Sequence, residues 1–247
     1  MPVSEALARC PEAVLRPTRL PRYREAAAEV RAILRGASER LEALGLDGTY
    51  LDGGEDPELL ETTAALCVRI QAETGIAAHA GIGPTRFVAW LAARHAGAEA
   101  IRSVSAAQVR DFLGPFPVTE LWGLGPATAE KLASEGISTI AEIQTCAPER
   151  LDRIVGPPPG RWIELARGED PEPLRPSPRA RSFSQERTLA DPTLEENVLG
   201  SVLTELAERL GRILLREQRA ARTITVVFRF VDDEQQSRTR TLDEAIA

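Results

Sequence analysis

Apolar positions in the first hundred residues follow both helical and extended periods. Val30, Ile33 and Leu34 recur at the spacing of an amphipathic helix, and Asp47-Gly48 is a dipeptide that favours the turn of a β-hairpin. The predicted elements are a helix over 23–34, two short strands over 41–52 around the turn 46–49, a helix capped by Asp56, a strand over 76–83 and a helix over 84–96. Helices that alternate with strands predict an α/β layer.

The middle block, 103–170, is helical and contains one distinctive turn. Gly123-Leu124-Gly125 follows the end of an apolar segment. A new helix then begins with Pro126 at its first position and ends at Gly136. This order predicts a helix-hairpin-helix, a unit that binds a nucleic-acid backbone without contacting the bases. A plain helical corner is the alternative interpretation.

The hairpin unit carries the predicted contacts to a backbone phosphate. Glycine lets the main chain approach a phosphate closely, and the free N–H groups at the start of the second helix face that phosphate. Lys131, one turn further on and the only lysine of the chain, adds a point charge. The predicted contact residues are Gly123, Gly125, Ala127, Thr128 and Lys131.

A proline-rich linker over 171–182 separates the middle block from the last one. Prolines interleaved with arginines predict an extended, semi-rigid segment. Its Arg179 and Arg181 are predicted to follow a phosphate backbone, and a solvated tether is the alternative interpretation.

The last block, 183–247, predicts a second small α/β domain. It contains a predicted strand over 183–188 and a long amphipathic helix, for which Thr193 and Glu196 form the sequence pattern of a capping box. Apolar residues alternate with polar ones over 224–230, which predicts a strand with one apolar face.

Arginines on this predicted sheet are further candidate contacts to DNA. Arg238 and Arg240 lie two apart on the next predicted strand, hence on one face. Together with Arg229, these residues indicate a sheet with the long helix on one face and arginines on the other. A merely solvated sheet face is the alternative interpretation.

The composition indicates a globular protein with an acidic balance. The 247 residues are 43% hydrophobic and carry a formal net charge of −7, which excludes bulk electrostatic coating of DNA and requires any nucleic-acid site to be a local basic face. The three cysteines lack metal-ligand spacing, which excludes a zinc module. Neither a signal peptide nor a run of eighteen apolar residues is visible, so we expect a cytoplasmic, nucleoid-associated protein without a membrane partner.

Several segments together resemble the Y family of translesion DNA polymerases, the DinB type in particular. Leu-Asp-Gly-Thr-Tyr-Leu-Asp at 46–52 resembles the family's Ser-x-Asp-Glu-x-Tyr-Leu-Asp hairpin, and residues 81–92 resemble its Gly-Ile-x-x-Asn-Lys-x-x-Ala-Lys-x-Ala helix. Further similar segments are 1–11, 121–125, 165–170 and 184–188. The resemblance therefore extends along nearly the whole chain.

The resemblance implies an α+β multidomain fold. Its expected parts are a partial ferredoxin-like palm over 1–102, a helix-hairpin-helix thumb over 103–170, the linker over 171–182 and a partial α/β little finger over 183–247. It implies primer–template DNA as a partner, with a sliding clamp or another polymerase as a further one. For an active member it also implies two Mg²⁺ ions held by three carboxylates, whereas an inactive member needs no cofactor.

The chain departs from the family at the catalytic centre. Asp47 keeps one carboxylate, as a residual catalytic and metal-binding residue, but Gly48 stands where the family has a glutamate. The family's first palm strand, with an Asp-x-Asp motif, is expected upstream of Met1. Trp90 replaces a helix lysine and is expected to pack, whereas Arg86 keeps one positive charge for a nucleotide.

We therefore expect a polymerase-like protein that binds the backbone of damaged or primer–template DNA without nucleotidyl transfer. Two alternatives stay open. One is a working template-directed polymerase whose metal site is rebuilt from Asp47, Asp52 and Glu55. The other is a non-catalytic accessory of the ImuB type, which a clamp-binding peptide near the C-terminus would favour; none is visible.

Overall fold

The computed structural model describes residues 1–54, 56–97, 100–156, 160–175, 182–232 and 234–246. The chain divides into two compact units, Met1–Pro178 and Arg179–Ala247, called the first and second unit below. The first unit contains α1 (Val3–Arg9), α2 (Leu20–Arg35), β1 (Leu41–Leu44), β2 (Gly48–Leu51), α3 (Leu59–Thr74), β3 (Ala80–Ile82), α4 (Arg86–Arg94), β4 (Ile101–Ser103), α5 (Val109–Leu113), α6 (Pro126–Ser134), α7 (Ile140–Thr145), α8 (Pro148–Val155) and α9 (Gly160–Ala166). The second unit contains α10 (Glu196–Arg216), β5 (Ala221–Arg229) and β6 (Gln235–Ile246).

The predicted hairpin over 41–52 is confirmed, but its predicted turn is wrong. Strands β1 and β2 pair antiparallel with Leu44 opposite Gly48, so the loop is 45–47 and Gly48 is already the first residue of β2. Gly45 has φ +64°, a left-handed conformation that closes a three-residue loop. Asp47 therefore lies at the exposed tip of the hairpin, and Asp47-Gly48 is not a two-residue turn.

A strand–helix–strand unit follows, and one of its strands was not predicted. The strand predicted over 76–83 is confined to Ala80–Ile82, and it pairs in parallel with β4 across α4. The predicted helix begins at Arg86, with Thr85 as its N-cap. The helix predicted at Asp56 begins only at Leu59, because the Asp56 carboxylate accepts from the N–H of Glu58 at 2.9 Å in a turn that precedes the helix.

Helix α4 and the helical middle block share one apolar core. Its fully buried side chains include Phe87 and Leu91 of α4, Leu113 of α5, Leu132 of α6 and Ile143 of α7. A smaller core joins α2, β1 and α3 through Ile33, Leu34, Leu41 and Ile70. The predicted helical character of 103–170 is confirmed.

Two local predictions for the second unit are wrong. Residues 183–188 form no strand, because no described strand pairs with them. The capping box does not form, since α10 begins at Glu196 and the Thr193 hydroxyl instead accepts from the N–H of Glu195 at 3.1 Å.

The second unit is a two-stranded ribbon with one helix. The strand predicted over 224–230 is confirmed as part of β5, and it pairs antiparallel with β6. No apolar side chain in the described part of this unit is fully buried. A single hairpin encloses little core by itself.

Candidate nucleic-acid interface

The turn between Val118–Glu120, a short 3₁₀ helix, and α6 has the backbone geometry of a phosphate cradle. Gly123 has φ +82°, a region that favours glycine, and Gly125 is the extended N-cap of α6 with Pro126 at its first position. No described group accepts a hydrogen bond from the N–H groups of Gly123, Gly125 or Ala127, all of which are exposed. These donors and the positive end of the helix dipole are available to an anion.

The two glycines of the turn serve different purposes. A Cβ at Gly125 would meet nothing within 4 Å, so the space in front of this residue is open to a ligand. At Gly123 the positive φ is the constraint, and a Cβ there would lie 3.8 Å from Nε1 of Trp162. That Nε1 donates to the carbonyl oxygen of Trp122 at 3.2 Å, which holds the turn against α9.

Thr128 and Lys131 follow on the same helix. The N–H of Thr128 already donates to the carbonyl oxygen of Gly125 at 3.1 Å, and its side chain is half-buried. Lys131 is exposed in the last turn of α6 and lines a cavity shared with α8. Arg150 and Arg153 of α8, which were not among the predicted contacts, line the same cavity.

Arg86, the predicted nucleotide contact, lies in a network of carboxylates. Its guanidinium is 2.9 Å from the Glu42 carboxylate and 3.5 Å from that of Glu172, and its side chain is 15% exposed. The second Glu42 oxygen accepts from the backbone N–H of Arg175 at 2.9 Å. Both acids were missed in the sequence, although Glu42 is a charged residue inside an otherwise apolar strand. The nucleotide role of Arg86 stays a prediction.

Tyr50 and Asp170 border the same network. The Arg86 guanidinium lies 5.1 Å from the centre of the Tyr50 ring. Burial raises the pKa of Tyr50 above its ordinary value; Arg86 opposes the shift, whereas Asp170 and Glu42 add to it. Tyr50 is therefore a neutral phenol at physiological pH.

Trp90 packs, as predicted. Its ring centre lies 5.7 Å from that of Trp122 in an edge-to-face arrangement and 6.3 Å from that of Phe87. The Arg94 guanidinium lies 5.3 Å from the centre of the Trp90 ring. This aromatic cluster joins α4 to the residue that precedes Gly123.

The carboxylates near the hairpin do not fit a two-magnesium centre. Asp47 is exposed at the tip of the hairpin, whereas Asp52, at the open end of the same hairpin, forms an ion pair with Arg40 at 2.7 Å. Within the described ranges, no group of three or more His, Cys, Asp or Glu side chains is arranged to hold a metal ion. Glu55, the third member of the rebuilt site considered above, lies outside the described residues.

The arginines predicted on the second unit do not share one face. Arg238 and Arg240 do lie together, opposite Val226 and Ile224, but Arg229 lies opposite Gln235 on the other face. The predicted sheet with all three arginines in front is therefore wrong. Their contacts to DNA stay predictions. Arg179 and Arg181 lie outside the described residues.

Comparison with known proteins decides the family. Models of the impB/mucB/samB family match residues 1–94, the C-terminal domain of that family matches 180–247, and the helix-hairpin-helix motif of the IMS family matches 107–137. DNA polymerase IV 2 of Methanosarcina mazei is 32% identical over 98% of this chain and 67% of its own length. This chain belongs to the DinB-type Y family of DNA polymerases.

The chain spans about two thirds of the length of the relatives that it matches. A second relative, DNA polymerase IV of Desulfatibacillum aliphaticivorans, is 31% identical over 98% of this chain but only 62% of its own length.

The fold is also similar to that of solved Y-family structures. A Y-family polymerase chimera of Dbh and Dpo4 is 21% identical, with a TM-score of 0.85 over the whole chain and 72% of the chimera.

The expected α+β fold, with the helix-hairpin-helix, is confirmed by this likeness. Within the described part of the chain, no helix combines the length and the apolar character needed to cross a membrane.

Proposed function

We propose that this Y-family chain binds the backbone of primer–template DNA, damaged or not, and does not transfer nucleotides as it stands. The observation that carries the proposal is the turn at Gly123–Gly125, which presents exposed N–H donors beside open space. Donors of this kind bind phosphate, and phosphate contacts orient a protein on DNA without reading its sequence.

Binding by such a site is local and depends on salt. The chain carries a formal net charge of −7, so its body repels DNA and the affinity must come from a few contacts. Each phosphate neutralised by a cation releases counterions, which makes affinity fall as the salt concentration rises. We therefore expect weak, sequence-independent binding.

The residues at the hairpin support the proposal that the chain does not transfer nucleotides. Members of the family use divalent metal ions, and two-metal chemistry needs carboxylates that hold both ions. Gly48 supplies no carboxylate beside Asp47, and a Cβ at Gly48 would lie 3.0 Å from the Cβ of Leu44. The Arg86 guanidinium, moreover, is already paired with Glu42. A triphosphate would have to compete with that buried ion pair.

Fluorescence anisotropy with a labelled primer–template tests the binding. Gly125→Ala places a methyl group in the open space before the turn, without a clash inside the protein. Because a hydrogen bond to a charged group is worth about 1.5–3 kcal/mol, we expect affinity to fall roughly tenfold or more. Gly200→Ala, also in open space but on α10, is the matched control and should bind like the unchanged chain. Equal affinities for the two variants would contradict the turn as the site.

Primer extension with Mg²⁺ or Mn²⁺ tests the chemistry separately. We expect no template-dependent incorporation above background. Incorporation that disappears on Asp47→Ala would overturn this half of the proposal and favour a working polymerase, while leaving the binding result untouched.

A further inference from the structure

A basic groove lies between α6 and α8, around the far end of the helix that begins at the Gly123–Gly125 turn. The groove is open to solvent and has a volume of about 410 Å³. Its lining residues are Lys131, Ser134, Glu135, Arg150, Arg153 and Ile154. The lining therefore combines the side chains of three cations with one carboxylate.

The three cations of the groove have no carboxylate partners. Among the described residues, no acidic group lies within 4.0 Å of the charged nitrogens of Lys131, Arg150 or Arg153, whereas Arg86 and Arg161 of the same unit are paired with acids. With three cations and the single carboxylate of Glu135, the lining keeps a net positive charge, and its like charges repel one another in a protein that is acidic as a whole. An anion in the groove would relieve that repulsion.

Arg150 and Arg153 each donate a hydrogen bond to a backbone carbonyl oxygen and keep further N–H donors for a ligand. Arg150 donates from Nη2 to the carbonyl oxygen of Glu135 at 2.8 Å, at the C-terminal end of α6. Arg153 donates from Nε to the carbonyl oxygen of Glu149, one turn earlier on α8, at 3.3 Å. A guanidinium has five N–H donors in a planar fork, which suits the paired oxygens of a phosphate.

We infer that this groove is a second phosphate site, which takes a backbone phosphate of the nucleic-acid strand held at the Gly123–Gly125 turn. The inference rests on the proposed DNA binding. Lys131 is six positions after Gly125, so the two sites lie roughly 9 Å apart along α6 and a strand can reach both within a few nucleotides. An acidic peptide fits less well, because Ile154 is the only large apolar side chain among the described residues of the lining and offers little apolar contact.

The test measures the salt dependence of binding of the full chain to a fluorescein-labelled primer–template. Arg153→Ala removes one cation without removing the contact of Arg150 to α6. We expect it to lower affinity about threefold and to flatten the slope of log K against log salt concentration by roughly 0.9, the value for one phosphate contact. Lys131→Ala should lower the affinity and flatten the slope by the same amounts. Arg110→Ala, which removes an exposed arginine from α5, is the control and should change neither quantity.

The outcomes separate this inference from the function on which it rests. Should the unchanged chain not bind the duplex, both fail. Should it bind and lose affinity on Gly125→Ala, while Arg153→Ala and Arg153→Gln behave like Arg110→Ala, only the groove is excluded. Poly-L-glutamate that binds through Arg153 and is not displaced by the duplex would indicate an acidic protein partner and overturn the inference. Circular-dichroism melting must first show that the variants are folded.

Discussion

The guanidinium of Arg86 lies 2.9 Å from the carboxylate of Glu42, and the two side chains are only 15% and 9% exposed. This pair ties α4 to β1, and the same carboxylate also accepts from the backbone N–H of Arg175. A residue that the resemblance to the family predicts to contact a nucleotide is thus occupied by contacts within the protein.

Removing the acid of this pair should destabilise the first unit strongly. Glu42→Ala leaves the buried Arg86 charge with Glu172 alone, at 3.5 Å, and breaking a buried ion pair costs about 3 kcal/mol or more. Asp52→Ala breaks the exposed pair with Arg40 and should cost less than about 1 kcal/mol. Urea unfolding followed by tryptophan fluorescence measures the free energy of unfolding of both variants, since all three tryptophans lie in the first unit. Equal losses would contradict a stabilising role for the pair.

Restoring the family's lysine at position 90 should not restore polymerase activity. Trp90→Lys removes the contacts with Trp122 and Phe87 and places a second cation beside Arg94, which we expect to cost about 2 kcal/mol. Val68→Lys, at a 70% exposed position on α3, should cost less than about 0.5 kcal/mol. Thermal unfolding followed by circular dichroism gives the stability. Primer extension by the Trp90→Lys variant would show that the phosphate-binding charge alone had been missing.

The N-terminus of α7 should make stability depend on pH. The backbone N–H groups of Ser138 and Thr139 and the Thr139 hydroxyl donate to the Glu142 carboxylate and lower its pKa. A carboxyl whose pKa is lower in the folded state stabilises that state at neutral pH, and this contribution is lost as the pH falls through the folded pKa.

Glu142→Gln should therefore unfold more easily than the unchanged chain at pH 7, with a difference that shrinks as the pH falls below the ordinary pKa range of a glutamate. The capping contribution is measured by denaturant unfolding at several pH values. Glu130→Gln on α6 is the control, because no described donor contacts its exposed carboxylate. A difference that is independent of pH would mean that the ionised cap contributes nothing.

Backbone amides of the second unit should exchange faster than those of α4. Phe87, Val88 and Leu91 of α4 are fully buried, whereas no described apolar side chain of the second unit is. Opening a segment that buries little apolar surface costs little free energy, so its amides meet solvent more often. Hydrogen exchange followed by mass spectrometry compares β5 and β6 with α4. Equal protection would indicate that the second unit is stabilised by contacts other than apolar burial.

The sequence alone determined the features that depend on near neighbours. Pro126 after Gly125 predicts where α6 begins, and the turn at Gly123 needs a residue that tolerates a positive φ, which is +82° here. The hairpin over 41–52 and the packing of Trp90 were also predicted. These features follow from preferences that act within a few residues, together with the resemblance to the family.

Only the tertiary structure decided which distant residues meet. Arg86 is 44 positions from Glu42 and 86 from Glu172, and no local pattern links them. The parallel pairing of β4 with β3, and the placement of Arg229 on the face opposite Arg238, depend on strand register. The failure of 183–188 to form a strand was also decided by the tertiary structure, because an extended segment becomes a strand only when a partner satisfies its N–H and C=O groups. Propensity acts along the chain, whereas ion pairs, registers and shared cavities depend on how separate elements pack.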